Sequence, residues 1–176
     1  MARQTQESQW VLRAQCGDRE ALELLLASAQ SPLRRYVLGI TGHTLADDVL
    51  QETLFVIARK VRWLDDPDVF RAWAFRIASR LAFRTLRKER RWHGDDSRLA
   101  ELPAPETRPP EDLLRKLLAT DVISPASRAV LVLHFAEEMS LPDVAAILEV
   151  PVGTVKSRLA YGLAAIRKHL GTNRSA

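Results

Sequence analysis

Residues 140–170 read SLPDVAAILEVPVGTVKSRLAYGLAAIRKHL, two helix signals back to back. Ser140 can cap the first, with Asp143 three residues on and Pro142 tolerated in the first turn. That short helix runs to about Leu148, and Glu149-Val150-Pro151 breaks it. A second helix spans about Val152 to Leu170. Two helices joined by a turn of about three residues form a helix-turn-helix pattern. On the second, Val155, Leu159, Leu163, Ile166 and Leu170 share one face, while Thr154, Ser157, Arg158 and Tyr161 share the other. Polar and basic groups near the front of such a helix suit base edges in a DNA major groove. Lys156 lies on the flank, placed for phosphate. An unrelated helical hairpin with a solvated outer face would show the same periodicity.

Upstream, Pro103, Pro105, Pro109 and Pro110 fall close together. Proline removes a backbone donor and restricts its neighbour, so no helix crosses this stretch. Residues 95–112 therefore read as a linker. They separate an N-terminal unit (1–94) from a C-terminal one (113–176). Charge follows the same division. From Pro67 to Gly94 there are eight basic residues against two acidic ones; from 95 to 112 the balance reverses, six acidic against two basic; from Pro151 to Leu170 there are four basic residues and no acid. Two basic segments flanking an acidic connector predict two separate contacts with a polyanion.

Both units read as helix. Asp18 is a plausible cap for an apolar segment reaching Ala29, and Ser31-Pro32 marks either a break or the first turn of the next helix. Thr44–Val61 has apolar residues recurring at three and four. Asp65-Asp66-Pro67-Asp68 is a turn, and a further helix spans about Val69 to Arg91. On it Phe70, Ala74, Ile77, Ala78 and Leu81 form the core face. Arg76, Arg80, Arg84, Arg87 and Arg91 line an adjacent arc about 90° away, with Trp73 among them. Guanidiniums beside an indole suit phosphate contact and base stacking. A solvated arginine face beside a core tryptophan is the plain alternative, but Glu89 alone cannot neutralise the row.

Several classes fall away. The chain has 176 residues and a net charge of +4, with ordinary globular composition. No apolar run nears the roughly 18 residues of a membrane span, and no signal-peptide core follows Met1, so neither membrane insertion nor export is expected. One cysteine, Cys16, excludes an internal disulfide and fits a reducing cytoplasm. His43, His93, His134 and His169 lack ligand spacing. Asp48 and Glu52 can share a helix face, but no second carboxylate cluster accompanies them. No catalytic residue, metal or cofactor is expected.

Taken together, the residues resemble bacterial sigma factors of the extracytoplasmic-function (ECF) type. Asp47-Asp48-Val49-Leu50-Gln51-Glu52-Thr53-Leu54-Phe55 is similar to the family's core-polymerase-binding helix. Phe70-Arg71-Ala72-Trp73-Ala74-Phe75-Arg76-Ile77-Ala78 resembles its promoter-melting and minus-10 segment, and Pro151–Leu159 its minus-35 recognition helix. The resemblance implies an all-α chain of two small helical domains, a region 2-like bundle and a region 4-like helix-turn-helix, joined by the proline-rich linker. It implies core RNA polymerase, promoter DNA and an anti-sigma protein as partners. It implies Asp48, Gln51, Glu52, Leu54 and Phe55 for polymerase. Trp73, Arg76, Arg80, Arg84 and Arg87 would serve minus-10 DNA; Thr154, Lys156, Ser157, Arg158 and Tyr161 would serve minus-35 DNA.

Three positions depart from the family pattern. Arg80 stands where many relatives have Asn, near the flipped-base pocket. Glu149 stands where many have Gly at the turn, and would be strained if that position needs positive φ. Ala160-Tyr161-Gly162-Leu163 replaces the basic residues that often follow Ser-Arg-Leu. Two rivals are a stand-alone helix-turn-helix regulator, which leaves Asp48–Phe55 unexplained, and a metal enzyme using Asp48 and Glu52, which lacks further ligands.

Overall fold

The computed structural model describes residues 2–93 and 123–173, so the expected linker lies outside the described residues. Seven α-helices occur among the described residues: α1 (Ala2–Gln15), α2 (Arg19–Thr41), α3 (His43–Lys60), α4 (Phe70–His93), α5 (Pro125–Leu131), α6 (Leu141–Leu148) and α7 (Val152–Asn173). Single 3-10 turns at Val61–Trp63 and Pro67–Val69 lead from α3 into α4, and a π-helical turn, Val132–Ala136, extends α5. No strand occurs among the described residues.

Local chemistry explains most boundaries. The Asp18 carboxylate accepts from the Ala21 N–H at 3.0 Å and starts α2. Gly42 ends it at φ 74, ψ 177, a conformation open essentially to glycine alone, and α3 begins at the next residue. Ser31-Pro32 breaks nothing: α2 runs straight through. Proline there forgoes one backbone bond, and its buried ring lies with Leu33, Phe70, Ala74 and Phe75 around a small cavity. Apolar packing outweighs the local preference.

The N-terminal half is clamped between α2 and α4. Tyr36 and Phe75 meet edge to face with ring centroids 5.2 Å apart. Ser79 Oγ donates to the Phe75 carbonyl at 2.7 Å, so the Tyr36 hydroxyl, 2.6 Å away, donates to Ser79. Burial pushes the Tyr36 phenol well up, which keeps it a neutral donor. Helix α1 docks largely through polar groups. Gln15 Nε2 donates to the Val61 and Leu64 carbonyls at 3.1 and 2.7 Å, and Ser8 donates to Asp68 at 2.5 Å.

In the C-terminal half, Val155, Leu159, Leu163 and Ile166 of α7 are buried as the periodicity predicts. Gly162 lets α7 approach α5 closely: a Cβ there would meet Leu131 Cδ1 at 2.9 Å. With Ala160 also buried, this stretch is small because it packs inward. Ser140 caps α6, accepting from the Asp143 N–H at 3.3 Å and donating to its carboxylate at 2.5 Å. Ser140→Ala should therefore lower stability by about 1 kcal/mol, read as a reduced urea midpoint at unchanged slope.

The two halves are not apart in space. Helix α5 packs on α2, and α6 packs on α4. Buried apolar residues of both halves form one cluster. Two helical units distinct in sequence are thus closed against each other.

Candidate nucleic-acid interface

Helix α3 turns Val49, Leu50, Thr53 and Ile57 inward. The opposite side then presents Asp48, Gln51, Glu52 and Phe55 to solvent, with Leu54 half-buried. Phe55 is 60% exposed, and the Arg59 guanidinium lies 5.5 Å from its ring centroid. A carboxylate, an amide, a second carboxylate and an aromatic ring on adjacent turns make a compact polar and apolar patch.

On α4, Phe70, Ala74, Ala78 and Leu81 are buried as expected, joined by Phe75 and Ala82, while Ile77 is only half-buried. Arg80, Arg84 and Arg87 are exposed, and Arg76 is half-buried; the Arg91 side chain lies outside the described residues. Trp73 is half-buried and packs partly against the core, its ring 6.2 Å from that of Phe70. One expectation needs correction: the arginine row is not without acids. Arg84 pairs with Glu52 of α3 at 2.5 Å, and Arg80 grips Glu149 of the helix-turn-helix turn. These acids come from elements 32 and 69 residues away in the chain, where no helical periodicity looks.

On α7, Lys156 is exposed, and Thr154, Ser157, Arg158 and Tyr161 are half-buried. Burial lowers the Arg158 pKa, yet guanidinium stays protonated in proteins. Ser157 Oγ donates to the Gly153 carbonyl at 3.0 Å, so its hydroxyl proton is engaged within its own helix. Glu149 closes α6 at φ 56, ψ 44, the strained left-handed conformation expected of that turn position.

Trp63 was missed by sequence reasoning. It is 63% exposed on the 3-10 turn before α4, with the Arg62 guanidinium 3.8 Å from its ring centroid. An exposed indole under a cation is a stacking platform. The signal was present: an aromatic directly after Lys60 and Arg62, ahead of an aspartate turn. Among the described residues, no group of three His, Cys, Asp or Glu is placed to hold a metal, and no helix is long and apolar enough to cross a membrane.

A helix-turn-helix and a basic helix, set beside an exposed acidic and aromatic patch, point to a DNA-binding protein of the transcription-factor class. Comparison with known proteins makes this specific. Residues 25–92 match Sigma-70 region 2, and residues 119–168 match Sigma-70, region 4. The ECF RNA polymerase sigma factor SigL of Mycobacterium tuberculosis is 31% identical over 159 residues, covering 81% of this chain and 86% of SigL. SigW of Bacillus subtilis, also an ECF RNA polymerase sigma factor, is 28% identical over 140 residues, covering 71% of this chain and 75% of SigW. The solved structure of CnrH in complex with the cytosolic domain of CnrY is similar with a TM-score of 0.69 at 26% identity, covering 95% of this chain and 98% of CnrH. The chain belongs to the ECF sigma factors of the sigma-70 family. It binds core RNA polymerase and promoter DNA and directs promoter-specific initiation; it is not an enzyme. A stand-alone regulator is not favoured, because it leaves the region 2 match unexplained.

Proposed function

We propose that the work divides between three surfaces. Asp48, Gln51 and Glu52 make the polar contact with polymerase, supported by Leu54 and Phe55. Trp73, Arg76, Arg80, Arg84 and Arg87 hold the opened minus-10 strand. Thr154, Lys156, Ser157, Arg158 and Tyr161 read the minus-35 duplex. The exposed arginine arc of α4, on the same chain as a helix-turn-helix, is the observation that carries this reading.

The physical work is differential binding. Unstacking and unpairing a base costs a few kcal/mol, and stacking on a protein aromatic with phosphate pairing returns about 1–3 kcal/mol per base. Capture of the open form shifts the equilibrium towards it, and polymerase performs the bond chemistry. The working units are a domain at 1–94, a linker at 95–112 and a domain at 113–176. The setting is the cytoplasm, and an anti-sigma protein holds the chain inactive. The cytosolic domain of CnrY, in complex with CnrH, which is similar to this chain over 95% of its length, supports a cytosolic setting and a protein partner.

Run-off transcription with core polymerase tests the proposal: specific transcripts should appear only when the chain is added. Arg158 tests the duplex reading. Arg158→Ala should cost about 1–3 kcal/mol and relax preference at one minus-35 position if the guanidinium meets a base. A loss equal on every promoter, with the salt slope flatter by about one, would assign it to phosphate alone. We favour a mixed role for Arg158, with base contacts from Ser157 or Tyr161. Holoenzyme binding across single-base minus-35 variants reads the difference.

A further inference from the structure

Glu137 follows the π-helical turn of the C-terminal half, and its side chain is 0% exposed. Its two oxygens accept from Arg35 of α2 at 2.8 Å and from Arg71 of α4 at 2.5 Å. Both arginines belong to the other half of the chain. Further along α4, Arg80 donates to the two oxygens of Glu149 through Nε, at 3.1 Å, and through Nη2. Arg80, with a smaller contribution from Arg76, holds the Glu149 carboxyl below its ordinary range. Arg76 Nε is itself buried with no hydrogen-bond partner among the described residues.

We propose that Glu137 and Glu149 form a latch that closes the free chain on itself, seating the helix-turn-helix on the α4 face that takes the opened strand. The proposal rests on the reading of α4 as that face. A guanidinium fork that holds a carboxylate through two donors cannot offer the same donors to a phosphate. While Glu149 occupies Arg80, the strand is excluded from it. The turn geometry points the same way. A glycine at 149 would relieve the left-handed strain but would release Arg80. Two of the three departures from the family pattern, Arg80 and Glu149, are therefore partners of each other. The latch has a strong and a weak end. Glu137 is sealed between two arginines, while the Arg80–Glu149 pair is exposed and screened by salt.

The test uses the full-length chain. Cys16, its single cysteine, is exposed; with Ala164→Cys at an exposed position of α7 it accepts a pair of fluorophores, one in each half. In free protein, energy transfer should be high. In Glu137→Gln/Glu149→Gln it should fall, and a single-stranded minus-10 oligonucleotide should bind about tenfold tighter if about one molecule in ten is open at rest. Unchanged transfer overturns the latch. Reduced transfer without tighter binding, while Arg80→Ala still alters minus-10 preference in holoenzyme, overturns the occlusion and leaves the reading of α4 standing. No effect of Arg80→Ala in holoenzyme removes that reading and the occlusion together. Should the double variant fold poorly, a charge swap replaces it. At low salt, Arg80→Glu with Glu149→Arg must keep the transfer of the free protein, where each single reversal sets like charges against each other and lowers it; equal transfer in all three overturns the pairing.

Discussion

Glu52→Lys should all but abolish assembly with core polymerase while leaving the helix content of the chain unchanged. Glu52 is exposed on α3 beside Gln51 and Phe55, and its carboxylate already holds Arg84 at 2.5 Å. Charged groups at the centre of an interface are worth 2 kcal/mol or more, so reversal should weaken holoenzyme by about 30-fold at least. The pair with Arg84 is surface-exposed on both sides, and such pairs contribute about 0–1 kcal/mol to folding. Lost assembly therefore cannot be ascribed to lost fold. Arg84→Ala removes the same ion pair from its other end and should leave DNA-free assembly intact. Co-purification with core polymerase reads both variants. Undiminished capture of Glu52→Lys would reject the polymerase assignment of α3.

The second large effect is on stability. Phe75→Ala should destabilise the protein by about 3–5 kcal/mol, from lost burial plus the cavity left behind. Phe75 is 1% exposed and packs edge to face with Tyr36, which is fully buried. The Ser79 hydroxyl donates to the Phe75 carbonyl and accepts from Tyr36, so the ring, the phenol and the serine hold α2 to α4 as one group. A domain of ordinary stability has about 5–15 kcal/mol in hand, so this loss is a large share. Urea unfolding should show a lower midpoint; a change below about 1 kcal/mol would mean that the site collapses around the gap. Because α4 also carries the arginine arc proposed for the minus-10 strand, that function should be lost at a lower temperature, together with the fold.

Much of this could be read along the chain because helix signals are local. The α7 face of Val155, Leu159, Leu163 and Ile166 is buried as its spacing predicts, and the Asp18 and Ser140 caps bond where their positions say. Caps and periodicities involve residues at most a few positions apart. Helix α1 escaped for the opposite reason. Val11 is its one buried apolar residue beyond side-chain position 5, and Gln15 and Ser8 dock it by hydrogen bonds to residues 46 to 60 positions away. The unbroken course of α2 through Pro32 escaped too, since burial beside Phe70 and Phe75 overrides a local cost.

The helical class, the caps of α2 and α6, the buried face of α7, most of that of α4, and the three motifs that resemble sigma factors are all legible along the chain. Which charges meet is set by how the helices pack. Glu137 reaches Arg35 across 102 residues, Glu149 reaches Arg80 across 69, and Glu52 reaches Arg84 across 32. No periodicity extends over such separations, because ion pairing depends on where helices pack, and packing is set by the apolar faces of all of them together. The arginine row looked unpaired in sequence for that reason. In the folded chain two of its members hold acids, one from the surface proposed to meet polymerase and one from the turn of the helix-turn-helix.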